Sequence, residues 1–326
     1  MAPVDRPKYY AEIMLEFQSY EQFLCRVSDV YSLEDDIPPG DQERLKNCHI
    51  YLLGKRPRLS VDPCSIVVDA AALRFRVEYR RQGRVNGTEV VWPRELLLPY
   101  ESAITASEYP HRELLSYDAD GRLLGTTLLA NYAHVIPGLP AEARDLEVLY
   151  VGKGLSDTAH DRIRKHTTLQ KMLAEIHSNE PDAEIFALVY SFQYRKPCLI
   201  LNIEPEISGA LARQRAERAL AFKPSLDKQI ELIEAMIISY FRTEVYNTQY
   251  IEFPHRRQQI LAPVYEADFA AILCELDNET LGGLRLFSRN VPPKSRHEIV
   301  VDFRKAEGRP SIWDVAKSLS PEHSKE

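Results

Sequence analysis

Leu149-Tyr150-Val151-Gly152-Lys153-Gly154 is an apolar run that ends in two glycines around a lysine. Val148 to Val151 reads as a strand, and the loop Pro137 to Asp145 leads into it. The glycines let backbone approach an anion closely, and Lys153 adds a point charge. A nucleotide-binding loop is excluded, because the P-loop pattern is absent and no third glycine completes the dinucleotide fingerprint.

Downstream, Ser156-Asp157-Thr158 supplies N-cap side chains, so a helix is expected from there to about His177. Leu169, Leu173 and Ile176 mark its inner face, and stepping back along that face reaches His166 and then Arg162. An inward arginine is costly unless it meets an anion, and two partners fit: a carboxylate in a core ion pair, or a phosphate. A second helix repeats the anomaly with opposite sign. Ile230, Ile233, Ile237 and Phe241 form an apolar stripe with Glu234 in its middle, and a carboxylate there needs a cation, either a divalent metal or Arg162 itself.

In order and local spacing, Tyr150-Val151-Gly152, Arg162 with His166, Glu234 and the trailing Tyr246-Asn247 resemble the GIY-YIG nuclease superfamily over about residues 125–255. The resemblance implies a GIY-YIG-like central domain, a small antiparallel sheet flanked by helices; the chain as a whole is expected to be α+β, with N-terminal and C-terminal additions whose own apolar runs read as β-rich. It implies a metal-dependent endonuclease that hydrolyses phosphodiester bonds, in a restriction, defence, mobile-element or repair setting. The expected catalytic set is Tyr132, Tyr150, Lys153, Arg162, His166, Glu234 and Asn247. Within it Tyr132 stands for the tyrosine of an earlier strand, Glu234 holds Mg²⁺ or Mn²⁺, and Arg162 steadies the phosphate. Tyr150 or Tyr132 handles the attacking water. Lys153, Arg164 and Lys165 are expected against the nucleic-acid backbone, with DNA preferred to RNA as partner. A second reading stays open: a module of the same fold that binds nucleic acid, or a protein, without cleaving.

The 67 residues between His166 and Glu234 exceed what such a domain needs and imply an insertion near residues 193–228. Its helix, Leu211 to Phe222, carries Arg213, Arg215 and Arg218, which read either as phosphate contacts or as a solvated face. Outside the central domain, a chain of 326 residues suggests two or three compact units. The expected layout is an N-terminal α+β domain over 1–108, the nuclease-like domain over 109–262, and a β-containing segment with a polar tail over 263–326.

In the first of these, a helix is expected from Ser19 to Val27, an acidic Pro-rich break at Glu34 to Gly40, and strands at His49–Leu53 and Ser65–Val68. Leu73, Phe75, Val77 and Tyr79 alternate with Arg74, Arg76, Glu78 and Arg80, the pattern of a half-buried strand with a solvated arginine face. Asn86-Gly87 and Tyr117 to Gly121 are turn signals. Phe269–Leu276, Leu284–Phe287 and Ile299–Phe303 suggest a further small sheet.

Hydrophobic residues are 44% and charged residues 27% of the chain, with no apolar run of the ~20 residues a membrane span needs. Met1 to Lys8 has no apolar segment of the kind a secretory signal carries, so a cytoplasmic protein without membrane partners is expected. Cys25, Cys48, Cys64, Cys198 and Cys274 form no CxxC pair and read as reduced core residues. Net charge is −7, against a global electrostatic funnel for a polyanion, yet residues 150–260 hold 15 basic against 14 acidic side chains. Monomer and homodimer both remain open.

Overall fold

A computed structural model describes residues 9–31, 39–94, 102–154, 167–200, 207–255 and 258–303. Of the expected break at 34–40, residues 34–38 lie outside them and Pro39-Gly40 instead open a helix; the helix start at Ser156–Thr158 and the polar tail at 318–326 also lie outside. The first half runs β1 (Ala11–Arg26), α1 (Pro39–Lys46), β2 (Ile50–Pro57), β3 (Leu59–Val61), β4 (Val67–Val68), β5 (Ala72–Arg81), β6 (Arg84–Pro93), β7 (Ala103–Ala106), β8 (Glu113–Tyr117) and β9 (Leu123–Leu128). Next come α2 (Leu129–Tyr132), α3 (Ala141–Arg144), β10 (Leu146–Lys153), α4 (Thr167–Asn179), β11 (Ala183–Arg195), β12 (Cys198–Ile200) and α5 (Gly209–Ala221). The last elements are α6 (Leu226–Phe241), α7 (Ala262–Glu266), β13 (Ala271–Asp277), β14 (Leu286–Phe287) and β15 (Arg296–Asp302). The protein is thus a mixed α+β chain with several sheets. None of the described helices is long and apolar enough to cross a membrane.

Two compact units share the chain, and neither is one continuous stretch. The first comprises residues 1–21, 191–277 and 296–326, the second residues 22–190 and 278–295.

In the second unit, β2 lies between two antiparallel neighbours, β10 and β11, and β14 pairs in parallel with β10. A strand paired on both edges and covered on both faces needs no polar alternation. Accordingly Ile50, Tyr51, Leu52 and Leu53 are all buried, as are Phe186 to Tyr190 of β11. Arg56 ends this run of β2 and is 2% exposed. It donates to the Ala130 and Arg144 carbonyls and lies over the Phe186 ring at 4.3 Å. Burial lowers its pKa to about 10, against the opposing pull of Glu184.

Between β2 and β10 the chain builds two antiparallel sheets, one of β3 to β6 and one of β7 to β9. Leu73, Phe75, Val77 and Tyr79 are buried as the alternation predicts, and Leu59, Val90, Leu129 and Ile136 pack in the same cluster. The hairpin between β5 and β6 turns at Gln82-Gly83, both at positive φ (51° and 76°), which is the geometry two-residue hairpins favour. Asn86-Gly87, expected as that turn, lies inside β6 opposite Tyr79 and Glu78. The turn at Asp118–Gly121 forms as expected, with the Asp118 carboxylate accepting from the Asp120 and Arg122 amides.

His134, just past α2, is a half-buried imidazole beside Arg56, and burial first, then that charge, lowers its pKa to about 4. Because an unfolded histidine takes a proton near 6.5, the stability tied to neutral His134 is complete above that pH and is lost as pH falls toward 4. Urea midpoints measured from pH 7 to 4 are expected to fall less steeply in His134→Gln, by up to one proton's worth of slope. An identical slope in both proteins would remove His134 from the acid response.

In the first unit, β1 pairs in parallel with β13, from Met14 opposite Ala271 to Gln18 opposite Glu275, and antiparallel with β12. β13 pairs in turn with β15. The helix expected at Ser19–Val27 is instead the continuation of β1. Its buried and half-buried residues fit either period, and sheet pairing decided between them. The C-terminal strands do not form a sheet of their own: β13 and β15 extend that of β1, while β14 belongs to the second unit. Cys64 is exposed, against expectation, whereas Cys25, Cys48 and Cys274 are buried free thiols.

Candidate functional site

The strand pair β2 and β10 supplies the centre of the site in the second unit. Gly152 stands opposite Tyr51 and Lys153 opposite Ile50. An irregularity between Val148 and Tyr150 resets the alternation. From Tyr150 onward the period of two puts Tyr150 and Gly152 on the face that Tyr51 occupies across the ladder. The two tyrosine rings lie 6.0 Å apart at 37°.

Gly152 makes this possible. A Cβ there would run into the Tyr51 phenol and come within 2.8 Å of the Tyr150 ring, so the pair sits in the space a side chain would fill. Gly152→Ala is therefore expected to cost about 1–3 kcal/mol, the range for overpacking a buried site, and to displace Tyr51. Thermal unfolding and the near-UV tyrosine signal would measure it; an unchanged melting point would mean that the rings give way freely.

At the mouth of the pair, His49 and Gly154 are joined twice. The Gly154 amide donates to the His49 carbonyl at 2.9 Å, and His49 Nδ1 meets the Gly154 carbonyl at 3.2 Å. The His49 amide in turn donates to the Tyr190 carbonyl of β11 at 3.1 Å, so one residue ties the start of β2 and the end of β10 to β11. Lys153, half-buried, is held beside that clamp.

In the first unit, α6 begins after Ser225 and ends at Arg242, which takes a left-handed conformation at φ 51°. Ile230, Ile233, Ile237 and Phe241 are buried as read from the sequence, and Glu234 is 8% exposed among them. One turn earlier, Glu231 accepts a hydrogen bond from the Tyr250 hydroxyl at 2.9 Å and faces Lys228 at 3.1 Å. Burial first, then the Glu231 hydrogen bond and the charges of Glu231 and Glu234, push the Tyr250 phenol well above its usual range. Asn247 is buried just past the helix, where Oδ1 accepts from the Thr243 hydroxyl at 2.8 Å and its amide donates to the Thr243 carbonyl at 2.9 Å.

Tyr150 and Lys153 thus belong to the second unit and Glu234 and Asn247 to the first. Arg162, Arg164, Lys165 and His166 lie outside the described residues. In α4 the buried positions are Leu169, Met172 and Ile176, with Leu173 36% exposed, so the inner face is turned by one residue from the expected one.

Tyr132 ends the short helix α2, not a strand, and is 49% exposed. The tyrosine on the strand paired with that of Tyr150 is Tyr51, which the sequence reading passed over. Its signal was Ile50-Tyr51 at the head of an apolar strand. Of the three arginines expected against phosphate on α5, Arg213 and Arg218 are exposed, but Arg215 is 2% exposed and bound within the protein. Burial removes it from that set.

Among the described residues no group of three or more His, Cys, Asp or Glu side chains gathers as a metal cage. A buried carboxylate with a second one a turn away suits magnesium, which keeps most of its waters and takes one or two protein carboxylates. No protein-family model matches the chain, and no curated protein and no solved structure matches it.

Proposed function

We propose that the protein is a metal-dependent nuclease of GIY-YIG type that hydrolyses phosphodiester bonds, with DNA as the preferred substrate. The observation that carries the reading is the tyrosine pair: Tyr51 on β2 and Tyr150 on the adjacent antiparallel β10, packed over Gly152, with Lys153 closing β10. The strand order β10-β2-β11 supports it, as does a glutamate buried on a later helix.

In this reading the Tyr150 phenol orients the attacking water with the buried Tyr51 ring positioning it, Lys153 and Arg162 draw the phosphate, and His166 donates or relays a proton. Glu234 would hold a divalent ion, which when bound supplies Lewis-acid stabilisation of the charge that builds on the phosphate oxygens. Tyr51 replaces Tyr132 as the first tyrosine of the set.

The test is a plasmid-nicking assay with Mg²⁺ or Mn²⁺ against an EDTA control, run on the wild type and on Tyr51→Phe and Tyr132→Phe. Metal-dependent nicking that falls in Tyr51→Phe and persists in Tyr132→Phe is the expected result. A homogeneous protein that never nicks DNA or cleaves RNA with either metal would overturn the reading.

A further inference from the structure

The second unit holds a cleft of about 560 Å³ between β3, the β5–β6 hairpin, the loop at Tyr109–Arg112 and the turn at Pro181-Asp182. That volume lies within the range of small-molecule sites. Arg58, Arg80 and Arg112 reach into it. Arg112 is neutralised by Glu184 at 3.1 Å. Arg58 is not: Nη2 donates to the Ala183 carbonyl at 3.3 Å, and its buried Nε has no acceptor. Among the described residues, neither Arg58 nor Arg80 has a carboxylate within ion-pair distance.

The carboxylates on the walls point to other donors. Asp62 accepts from the Cys64 amide at 3.0 Å, Asp182 from the Gly83 amide at 3.2 Å, and Glu78 faces Arg76 at 3.5 Å. Arg58 and Arg80 therefore face the cleft without a direct ion-pair partner among the described residues, in a lining that also holds the Asp62, Glu78 and Asp182 carboxylates. Burial, together with the nearby charges of Arg58 and Arg26, weakens the hold of Arg112 on its proton, although Glu184 opposes this. An anion in the cleft would relieve that crowding.

At the cleft Tyr109 is 87% exposed. It meets the His111 ring edge-on, 6.0 Å away at 88°, and His111 Nδ1 is tied to the Ser107 carbonyl at 2.7 Å. A large aromatic ring is thus presented to solvent from a fixed support. A site for a bare anion has no use for such a ring, and an apolar peptide would not be met by guanidinium groups that lack an ion-pair partner.

We propose that this cleft binds an unpaired nucleotide of a nucleic-acid strand, with its phosphate on Arg58 and Arg80 and its base stacked on Tyr109. The inference rests on the nucleic-acid partner of the proposed function and deepens it: the substrate carries an unpaired segment, held by the sheets between β2 and β10.

The test is fluorescence anisotropy in EDTA at about 50 mM salt, where electrostatic contacts are strong and cleavage plays no part. The probes are labelled oligo-dT and oligo-U of ~12 nucleotides, a length near the single-strand footprint of one small domain, and a blunt duplex of equal length. Tyr109→Ala and Arg80→Glu alter only exposed side chains, and Tyr20→Ala, at a tyrosine 60% exposed in the other unit, is the control. Single strands are expected to bind more tightly than the duplex. Tyr109→Ala should weaken them about tenfold or more, the scale of one lost stacking contact. Arg80→Glu should weaken them and flatten the salt dependence, and Tyr20→Ala should match the wild type. Tighter binding of oligo-dT or of oligo-U identifies the sugar, and either supports the proposal. Wild-type affinity in Tyr109→Ala, a preference for the duplex, or no binding by the wild type overturns it. A protein that nicks DNA while its single-strand affinity ignores Tyr109 keeps the proposed function and loses this one.

Discussion

Glu234→Gln is expected to yield a folded protein whose metal-dependent cleavage has fallen by at least ~10²–10³-fold, the scale on which removing one transition-state-stabilising group acts. The substitution keeps volume and hydrogen-bonding capacity while removing the charge that a hard divalent ion requires. Glu234 is 8% exposed on a helix otherwise lined by isoleucine and phenylalanine, so the neutral amide should be tolerated there at least as well as the carboxylate. Initial nicking rates across a Mg²⁺ titration, read beside a thermal melt, separate the possibilities. Lost rate with a retained melt supports metal ligation; wild-type rate in a folded Gln variant would end the catalytic role. A second readout is independent of activity. Because the Glu234 charge helps to raise the Tyr250 phenol, its removal should let Tyr250 ionise at lower pH, visible in the alkaline ultraviolet difference spectrum.

Glu234 was legible in the sequence because a charge within a helical apolar stripe is a local signal spanning a few turns. The strand Leu73 to Tyr79 was legible for the same reason at period two. Tyr51 was not, although it lies in a run recognised as a strand. Its significance is the pairing of Ile50–Pro57 with Leu146–Lys153, separated by the whole of β3 to α3. The entropy of closing a loop grows only slowly with its length, so folding tolerates such a separation. A search for a neighbouring tyrosine, by contrast, stops at the nearest candidate and finds Tyr132. Ambiguous periodicity erased another cue. β1 runs on through Ser19 to Arg26 as strand, and its residues satisfy a helical pattern as readily as an extended one.

Arg215→Ala is expected to destabilise the protein by about 3–5 kcal/mol, the cost of removing one member of a buried pair. The guanidinium donates through Nε to the Asp268 carbonyl at 3.0 Å and through Nη1 to the Ala11 carbonyl at 2.8 Å. Nη2 faces Glu12 at 3.4 Å, with the pair 2% and 3% exposed, and the group lies 4.5 Å from the Tyr9 ring centre. Truncation would leave two carbonyls and a buried carboxylate short of donors. Lysine should not rescue it, since one ammonium cannot span three acceptors held by a planar fork. Urea midpoints measure the effect, with Arg213→Ala and Arg218→Ala on the exposed side of the same helix expected within about 0.5 kcal/mol of wild type. An Arg215→Ala variant as stable as those two would show that the buried contacts contribute nothing net. Arg215, like Glu234, is a charge set on the inner face of its helix. Ala212, Ala216 and Ala219 mark the inner face of α5 at spacings of three and four, and Arg215 falls on that face. A small-residue stripe is a weaker signal than one of isoleucines. It still places the guanidinium inward, and here the anion that an inward arginine demands is a carboxylate of the protein itself.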